Sequence, residues 1–235
     1  MNSYRKTLFL NTKKAWRARI PQGIICHPYK FIYFPIPKVA CTSTKSLIAD
    51  LCELEQKIDP HYIDFEFVSS QQLENFQDYF CFTIVRNPWS RIVSCYKNKI
   101  QQFSKLNNGL LFYGFERYNK ILPIGAFDSD MSFEKFVKVI SLIPDYLSDE
   151  HFRSQTSLIP SQKGKLLVDR VSKLEELDRE LRLIFKNCGI DNIKMPYINK
   201  SNFSDSNYRD YYNTELKERV ARRYRSDIET FGYTF

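Results

Sequence analysis

At 235 residues, with 43% hydrophobic and 26% charged side chains, the chain has the composition of a folded domain and not of a disordered segment. Lysine and arginine number 35 against 27 acidic residues, a basic surplus that suits a polyanion, a nucleotide or an anionic membrane surface without selecting among them. No run approaches the roughly 20 apolar residues of a membrane-spanning helix, and the apolar patch near the N-terminus is too brief for a signal sequence.

Taken in order, residues 1–25 read as a basic lead-in to a single domain spanning residues 1–235. Lys30 to Ile36 is β-prone on both faces, as a buried parallel strand would be, and Thr42 to Glu55 reads as a helix with Leu47, Ile48, Leu51 and Leu54 on one face. Asp78 to Val85 is a second buried strand. Pro88 to Ile100 is a helix opened by its proline, with Ile92, Val93 and Tyr96 inward. The text from Asn107 to Asp130 is aromatic and irregular and reads as a long binding loop or lid. Ser132 starts a helix, a strand follows at Leu166 to Val171, and a helix from Leu177 to Cys188 stops at Gly189. Thr214 to Thr230 reads as one amphipathic helix carrying Val220, Tyr224 and Ile228. Alternating strands and helices predict an α/β fold: a central parallel sheet flanked by helices, with a P-loop-like nucleotide-binding arrangement.

The six cysteines include no CxxC pair and no metal-like spacing with histidine, so no metal is expected. Cys52, Cys81 and Cys95 fall in apolar runs and read as buried thiols. A reducing, cytoplasmic setting follows.

Two stretches carry the chemistry. In Pro37-Lys38-Val39-Ala40-Cys41-Thr42-Ser43-Thr44, a strand turns into a helix whose first N–H groups and dipole favour an anion. Lys38 adds a point charge and Thr42, Ser43 and Thr44 add hydroxyls. The Walker pattern is absent, because the lysine precedes the turn, where it can reach the bridging oxygen of a phosphate-linked leaving group. An ordinary strand–helix turn with a capping Ser or Thr is the plainer alternative. In "FTIVRNPWSRIVSCYKNK", Arg86 ends a strand at the edge where open parallel sheets bind ligands. It would grip a second phosphate bidentately, assisted by Ser94. Arg91 reads as a solvated helix charge.

PKVACTST followed by IVRNPWSRIVSCY resembles the carbohydrate sulfotransferase family that includes chondroitin and dermatan 4-O-sulfotransferases. MSFEKFVKVI, HFRSQTSL, LVDRVSKLEELDREL and the C-terminal YYNTELKERVARRYRSDIETFGYTF continue the likeness, in order, from about residue 28 to 235. The resemblance implies that the first motif binds the 5′-phosphosulfate of 3′-phosphoadenosine 5′-phosphosulfate (PAPS) and the second its 3′-phosphate. It also implies a nucleotide site to which Lys200 and Ser201 contribute. Ala40 stands where many relatives carry glycine, so the turn is expected to avoid positive φ there.

Sulfuryl transfer is an in-line displacement driven by positioning and charge stabilisation, with Lys38 acting on the bridging oxygen. It needs a base for the acceptor hydroxyl. His151, in DEHFRSQ with Gln155 one helical turn on, matches the closer family. His61, in IDPHYIDFEF, resembles the histidine region of heparan sulfate 2-O-sulfotransferase, and His27 reads as structural or exposed. The expected partners are the nucleotide donor and a carbohydrate or glycan hydroxyl stacked on the aromatic loop, with no nucleic acid. Peripheral membrane contact stays open, as does a soluble catalytic domain of a Golgi-type enzyme. An atypical small kinase would need a magnesium carboxylate near the cradle. A non-catalytic polyanion binder would be indifferent to loss of either histidine.

Overall fold

The computed structural model describes residues 20–56, 59–121, 126–191 and 205–235. The regular elements are, in order, β1 (Gln22–Cys26), β2 (Phe31–Phe34), α1 (Cys41–Leu51), β3 (Phe67–Ser69), β4 (Phe80–Val85), α2 (Pro88–Tyr96), α3 (Phe103–Leu106) and α4 (Tyr113–Ile121). They continue with α5 (Phe133–Leu142), β5 (Ser161–Gln162), β6 (Lys165–Leu166), β7 (Arg170–Lys173), α6 (Leu177–Asn187), α7 (Thr214–Arg223) and α8 (Arg225–Phe231). The chain divides into two compact units, residues 1–85 with 157–199 and residues 86–156 with 200–235.

The first unit is built on a sheet of order β3-β1-β2-β4-β7, flanked by helices. β2, β4 and β7 run parallel, with β2 and β4 nearly continuous in apolar residues and β7 (Arg-Val-Ser-Lys) mostly polar, but β1 pairs antiparallel with both β2 and β3. The sheet is therefore mixed where a parallel one was expected. The cause is the short His27–Lys30 turn, which permits a hairpin and no crossover. Gly23 makes that hairpin close, since a Cβ there would lie 2.3 Å from Ile32 Cγ2.

Phe31, Tyr33 and Phe82 share one face, where Phe185 of α6 packs 5.8 Å from the Phe31 ring. Ile25, Ile32, Phe34, Val68 and Cys81 fill the other. α6 is fastened to the sheet by Glu180, which accepts from Arg170 Nε at 2.9 Å and Ser172 Oγ at 3.0 Å. The strand expected over Leu166 to Val171 is two pieces, a β5–β6 hairpin and β7. α1 stops at Leu51 and not at Glu55: Glu53 takes φ 53°, and Leu54 N–H closes back on Ala49 O. That is a left-handed helix stop formed without glycine.

The second unit packs α2, α4, α5 and α7 around one aromatic core. Pro88 opens α2 and Asn87 caps it, its Oδ1 accepting from Trp89 and Ser90 N–H. Past Tyr96 the helix widens into a π-helical turn, Lys97–Gln102, before α3. The stretch expected to be an irregular lid contains α4, and its aromatic residues are core: Phe112, Phe115, Tyr118 and Phe127 are all buried, with Phe115 and Phe127 rings 4.7 Å apart. Those rings are unavailable to stack on a sugar. The single C-terminal helix is instead α7 and α8, broken at Tyr224, whose hydroxyl donates to Phe152 O at 2.6 Å.

Arg91 is 1% exposed and donates to the carbonyls of Arg153 (2.7 Å) and Glu150 (2.8 Å), so it is a buried clamp and not a solvated charge. Nearby, burial pushes the Asp145 carboxyl up, but the Ser154 N–H and the Arg223 guanidinium outweigh it and hold its pKa below the ordinary aspartate value. A carboxylate depressed in the folded state contributes stability above its unfolded pKa and loses it as pH falls through the folded one. Urea unfolding of the wild type between neutral pH and about pH 3 should therefore show a larger acid loss than Asp145→Asn does; equal losses would remove Asp145 from that role.

Among the described residues no cysteine pair is bridged. Cys81 and Cys95 are buried as expected, whereas Cys52, at the C-cap of α1, is only half-buried. No helix of the described residues is long and apolar enough to cross a membrane.

Candidate functional site

In the first unit the carboxyl ends of β2 and β4 lie side by side, with Phe34 opposite Thr83 and Thr83 Oγ1 donating to Phe34 O at 2.7 Å. The chain leaves β2 through Pro35-Ile36-Pro37 and reaches α1 by way of two left-handed residues, Lys38 at φ 72° and Ala40 at φ 60°, ψ 22°. The expectation that Ala40 avoids positive φ is overturned. The turn needs the left-handed geometry whether or not glycine supplies it, and an L-residue there costs about 1–2 kcal/mol. Val39, fully buried, and Cys41 anchor the loop from beneath, leaving Lys38 and Ala40 half-exposed.

No side chain caps α1 and no acid occupies its first turn. Its leading N–H groups and positive dipole end thus keep their affinity for an anion. The three hydroxyls divide their work. Thr44 is fully buried and donates back to Ala40 O at 3.1 Å, Ser43 is buried, and Thr42 faces outward enough to meet His61. Replacing Ala40 by glycine should relieve the strain and raise stability by about 0.5–1 kcal/mol, net of glycine's greater freedom in the unfolded chain. Denaturant midpoints check this, and a destabilised Ala40→Gly would refute the strained-loop account.

His61 belongs to this group. It sits in a short 3₁₀ turn, Pro60–Tyr62, capped by Asp59. Its Nδ1 lies 3.2 Å from Lys45 Nζ and its Nε2 3.5 Å from Thr42 Oγ1. A lysine ammonium only donates, so the Nδ1 lone pair is the acceptor and the proton resides on Nε2. Lys45 was not foreseen as part of the site, although it lies one turn into the helix on the side of Thr42. His27 is half-exposed, bonded to Tyr79 and Glu66, and precedes β2, at the opposite end of that strand from this loop.

The second unit begins at Arg86, the residue directly after β4. Its backbone is gripped from both sides by Gln155: Arg86 N–H donates to Oε1 at 2.9 Å, and Nε2 donates to Arg86 O at 2.8 Å. Its Nε donates to Ser90 Oγ at 2.9 Å, which sets the plane of the guanidinium. Ser90 was not anticipated. It stands one turn before Ser94 on the same face of α2, and that four-residue spacing is the signal that could have found it. Ser94 is half-buried. The segment carrying His151 and Gln155 is a turn, so their four-residue spacing is not one turn of a helix. Gln155 instead serves Arg86.

His151 is part-buried, its ring edge-on to Phe112 at 5.6 Å, and its Nδ1 is 2.6 Å from Asp149 Oδ1. An ionised carboxylate only accepts, so Nδ1 carries the proton and Nε2 presents the lone pair, as a general base requires. Asp149, two residues upstream, is a partner the sequence reading passed over. Lys200 and Ser201 lie outside the described residues. Among the described residues no cluster of three or more His, Cys, Asp or Glu could hold a metal ion.

The first unit thus presents a lysine and a helix start without acids after β2, and the second presents an arginine whose backbone is held by Gln155. The chain belongs to the sulfotransferase family, whose model matches residues 21–234. It is 29% identical to carbohydrate sulfotransferase 14 of Mus musculus over 139 residues, 54% of this chain and 34% of that protein. It is 23% identical to carbohydrate sulfotransferase 11 of Rattus norvegicus over 237 residues, 90% of this chain and 66% of that protein. The chain thus spans between a third and two thirds of the length of these curated relatives. No solved structure matches it significantly.

Proposed function

We propose that the protein transfers a sulfuryl group from PAPS to a hydroxyl of a carbohydrate acceptor. The observation that carries this reading is the strained, acid-free strand–loop–helix at residues 37–44, within a chain matched to the sulfotransferase family over nearly its whole length. The relatives' names supply the class of acceptor.

In this reading the N–H groups of α1, with Thr42 and Ser43, hold the 5′-phosphosulfate, while Val39, Cys41 and Thr44 keep the loop in shape. The left-handed residues turn backbone N–H groups toward the anion. Lys38 stabilises charge on the oxygen bridging phosphorus and sulfur, and Lys45, which donates to His61, adds positive potential at the same helix start. Arg86, its plane fixed by Ser90, takes the 3′-phosphate together with Ser94. The acceptor oxygen forms a bond to sulfur as the bond from sulfur to the bridging oxygen breaks. The acceptor proton passes to Nε2 of His151, and adenosine 3′,5′-bisphosphate leaves. Asp149 holds His151 in the tautomer that can accept that proton.

Incubating the chain with PAPS and a panel of glycans, and following release of adenosine 3′,5′-bisphosphate, tests the reading. Acceptor-dependent release supports it. No release with any glycan, and no binding of the bisphosphate, would overturn it.

A further inference from the structure

Asp227 is the acid in the first turn of α8, and it is fully buried. A buried carboxylate needs several strong donors to be retained, and here they all come from one short segment. Asp227 Oδ2 accepts from Gln155 N–H at 2.8 Å. Oδ1 accepts from Thr156 N–H at 2.9 Å and from Thr156 Oγ1 at 3.0 Å. Gln155 Nε2 also approaches Oδ2, at 3.4 Å. The residue so fixed is the one whose side-chain amide brackets the backbone of Arg86. An amide that donates to Arg86 O and accepts from Arg86 N–H can do both only in one orientation. The carboxylate sets that orientation by fixing the Gln155 backbone and attracting its Nε2. A second tie runs the same way: Asn87 Nδ2 donates to Thr234 O, so the C-terminal strand of chain beyond α8 also holds the residue after Arg86.

We propose that Asp227 is a positioning residue for donor binding, acting through Gln155 to hold Arg86 where its guanidinium meets the nucleotide's 3′-phosphate. The proposal rests on the reading of Arg86 given above. It explains why a buried acid on the last helix spends its acceptors on residues 155 and 156, when packing alone would be served by an apolar side chain.

The test compares two nucleotides, adenosine 3′,5′-bisphosphate and adenosine 5′-monophosphate, by calorimetry on the full chain. In the wild type the bisphosphate should bind more tightly, and that difference is the worth of the 3′-phosphate site. Asp227→Asn keeps the shape but cannot accept from both the Gln155 and Thr156 N–H groups. It should weaken the bisphosphate by about tenfold, as misplacement of a positioned group does, and leave the monophosphate unchanged. Combined with Arg86→Ala it should add nothing further. Should Asp227→Asn fail to fold, Gln155→Leu, which removes the clamp and keeps the carboxylate, should show the same selective loss. A variant that loses both nucleotides equally, or neither, overturns the relay. A wild type that does not distinguish the two nucleotides overturns the Arg86 reading instead.

Discussion

Arg86→Ala should weaken binding of adenosine 3′,5′-bisphosphate by about 30- to 150-fold and leave adenosine 5′-monophosphate unaffected. The magnitude is that of charge-assisted hydrogen bonds to a phosphate, about 2–3 kcal/mol. The selectivity follows from how the residue is held. Gln155 grips the N–H and C=O of Arg86, so truncation of the side chain leaves that grip in place. Ser90 Oγ loses the Nε donor but stays on α2, whose cap is made by Asn87. A melting curve run alongside the calorimetry separates loss of the phosphate contact from loss of fold. Arg86→Lys should recover only part of the loss, because an ammonium lacks the planar fork that Ser90 orients. Equal weakening of both nucleotides would mean that Arg86 serves structure or a different anion.

What could be read from the sequence and what could not divide along a physical line. β2, β4 and the start of α2 declare themselves through local chemistry: continuous apolar runs, then Asn87-Pro88 as cap and first turn. The strand–loop–helix at 37–44 was legible for the same reason, since Lys38 and the hydroxyls of 42–44 lie in one short stretch. The antiparallel half of the sheet was not. β1 is five residues and β3 three, and their partners are set by a turn and by burial against Ile32 and Phe34 instead of by their own pattern. The left-handed backbone of the loop has no local marker, because glycine is not the only residue that adopts positive φ. Here Lys38, Ala40 and Glu53 all adopt it, held by the contacts around them. Aromatic density between 107 and 130 was taken for an exposed lid, yet Phe112, Phe115 and Tyr118 recur every third residue, which is the period of a helix face. Arg91 shows the limit most plainly. The carbonyls that bury it belong to Glu150 and Arg153, about 60 residues away, and nothing local announces them.

The same limit applies to the choice of base, where the sequence offered two histidines and the structure gives each a different proton. His61 meets Lys45 through Nδ1, which consumes its lone pair, while the Nδ1–H of His151 donates to Asp149 and a lone pair remains on Nε2. His151→Ala should lower kcat by a factor on the order of 10² to 10⁴, the usual worth of a general base, while adenosine 3′,5′-bisphosphate binds as before. The ring contact with Phe112 is lost, so a melting curve must show that the core survives. Asp149→Asn discriminates further. Its amide can donate to Nδ1, forcing the proton onto Nε2, so kcat should fall although His151 is still present and the nucleotide still binds. His61→Ala should act differently: the histidine stands at the helix start with Thr42 and Lys45, so its loss should raise the donor KM more than it lowers kcat. If His61→Ala abolishes turnover with donor binding intact, and His151→Ala leaves turnover standing, the assignment of the base is reversed and Asp149 is left with a structural role.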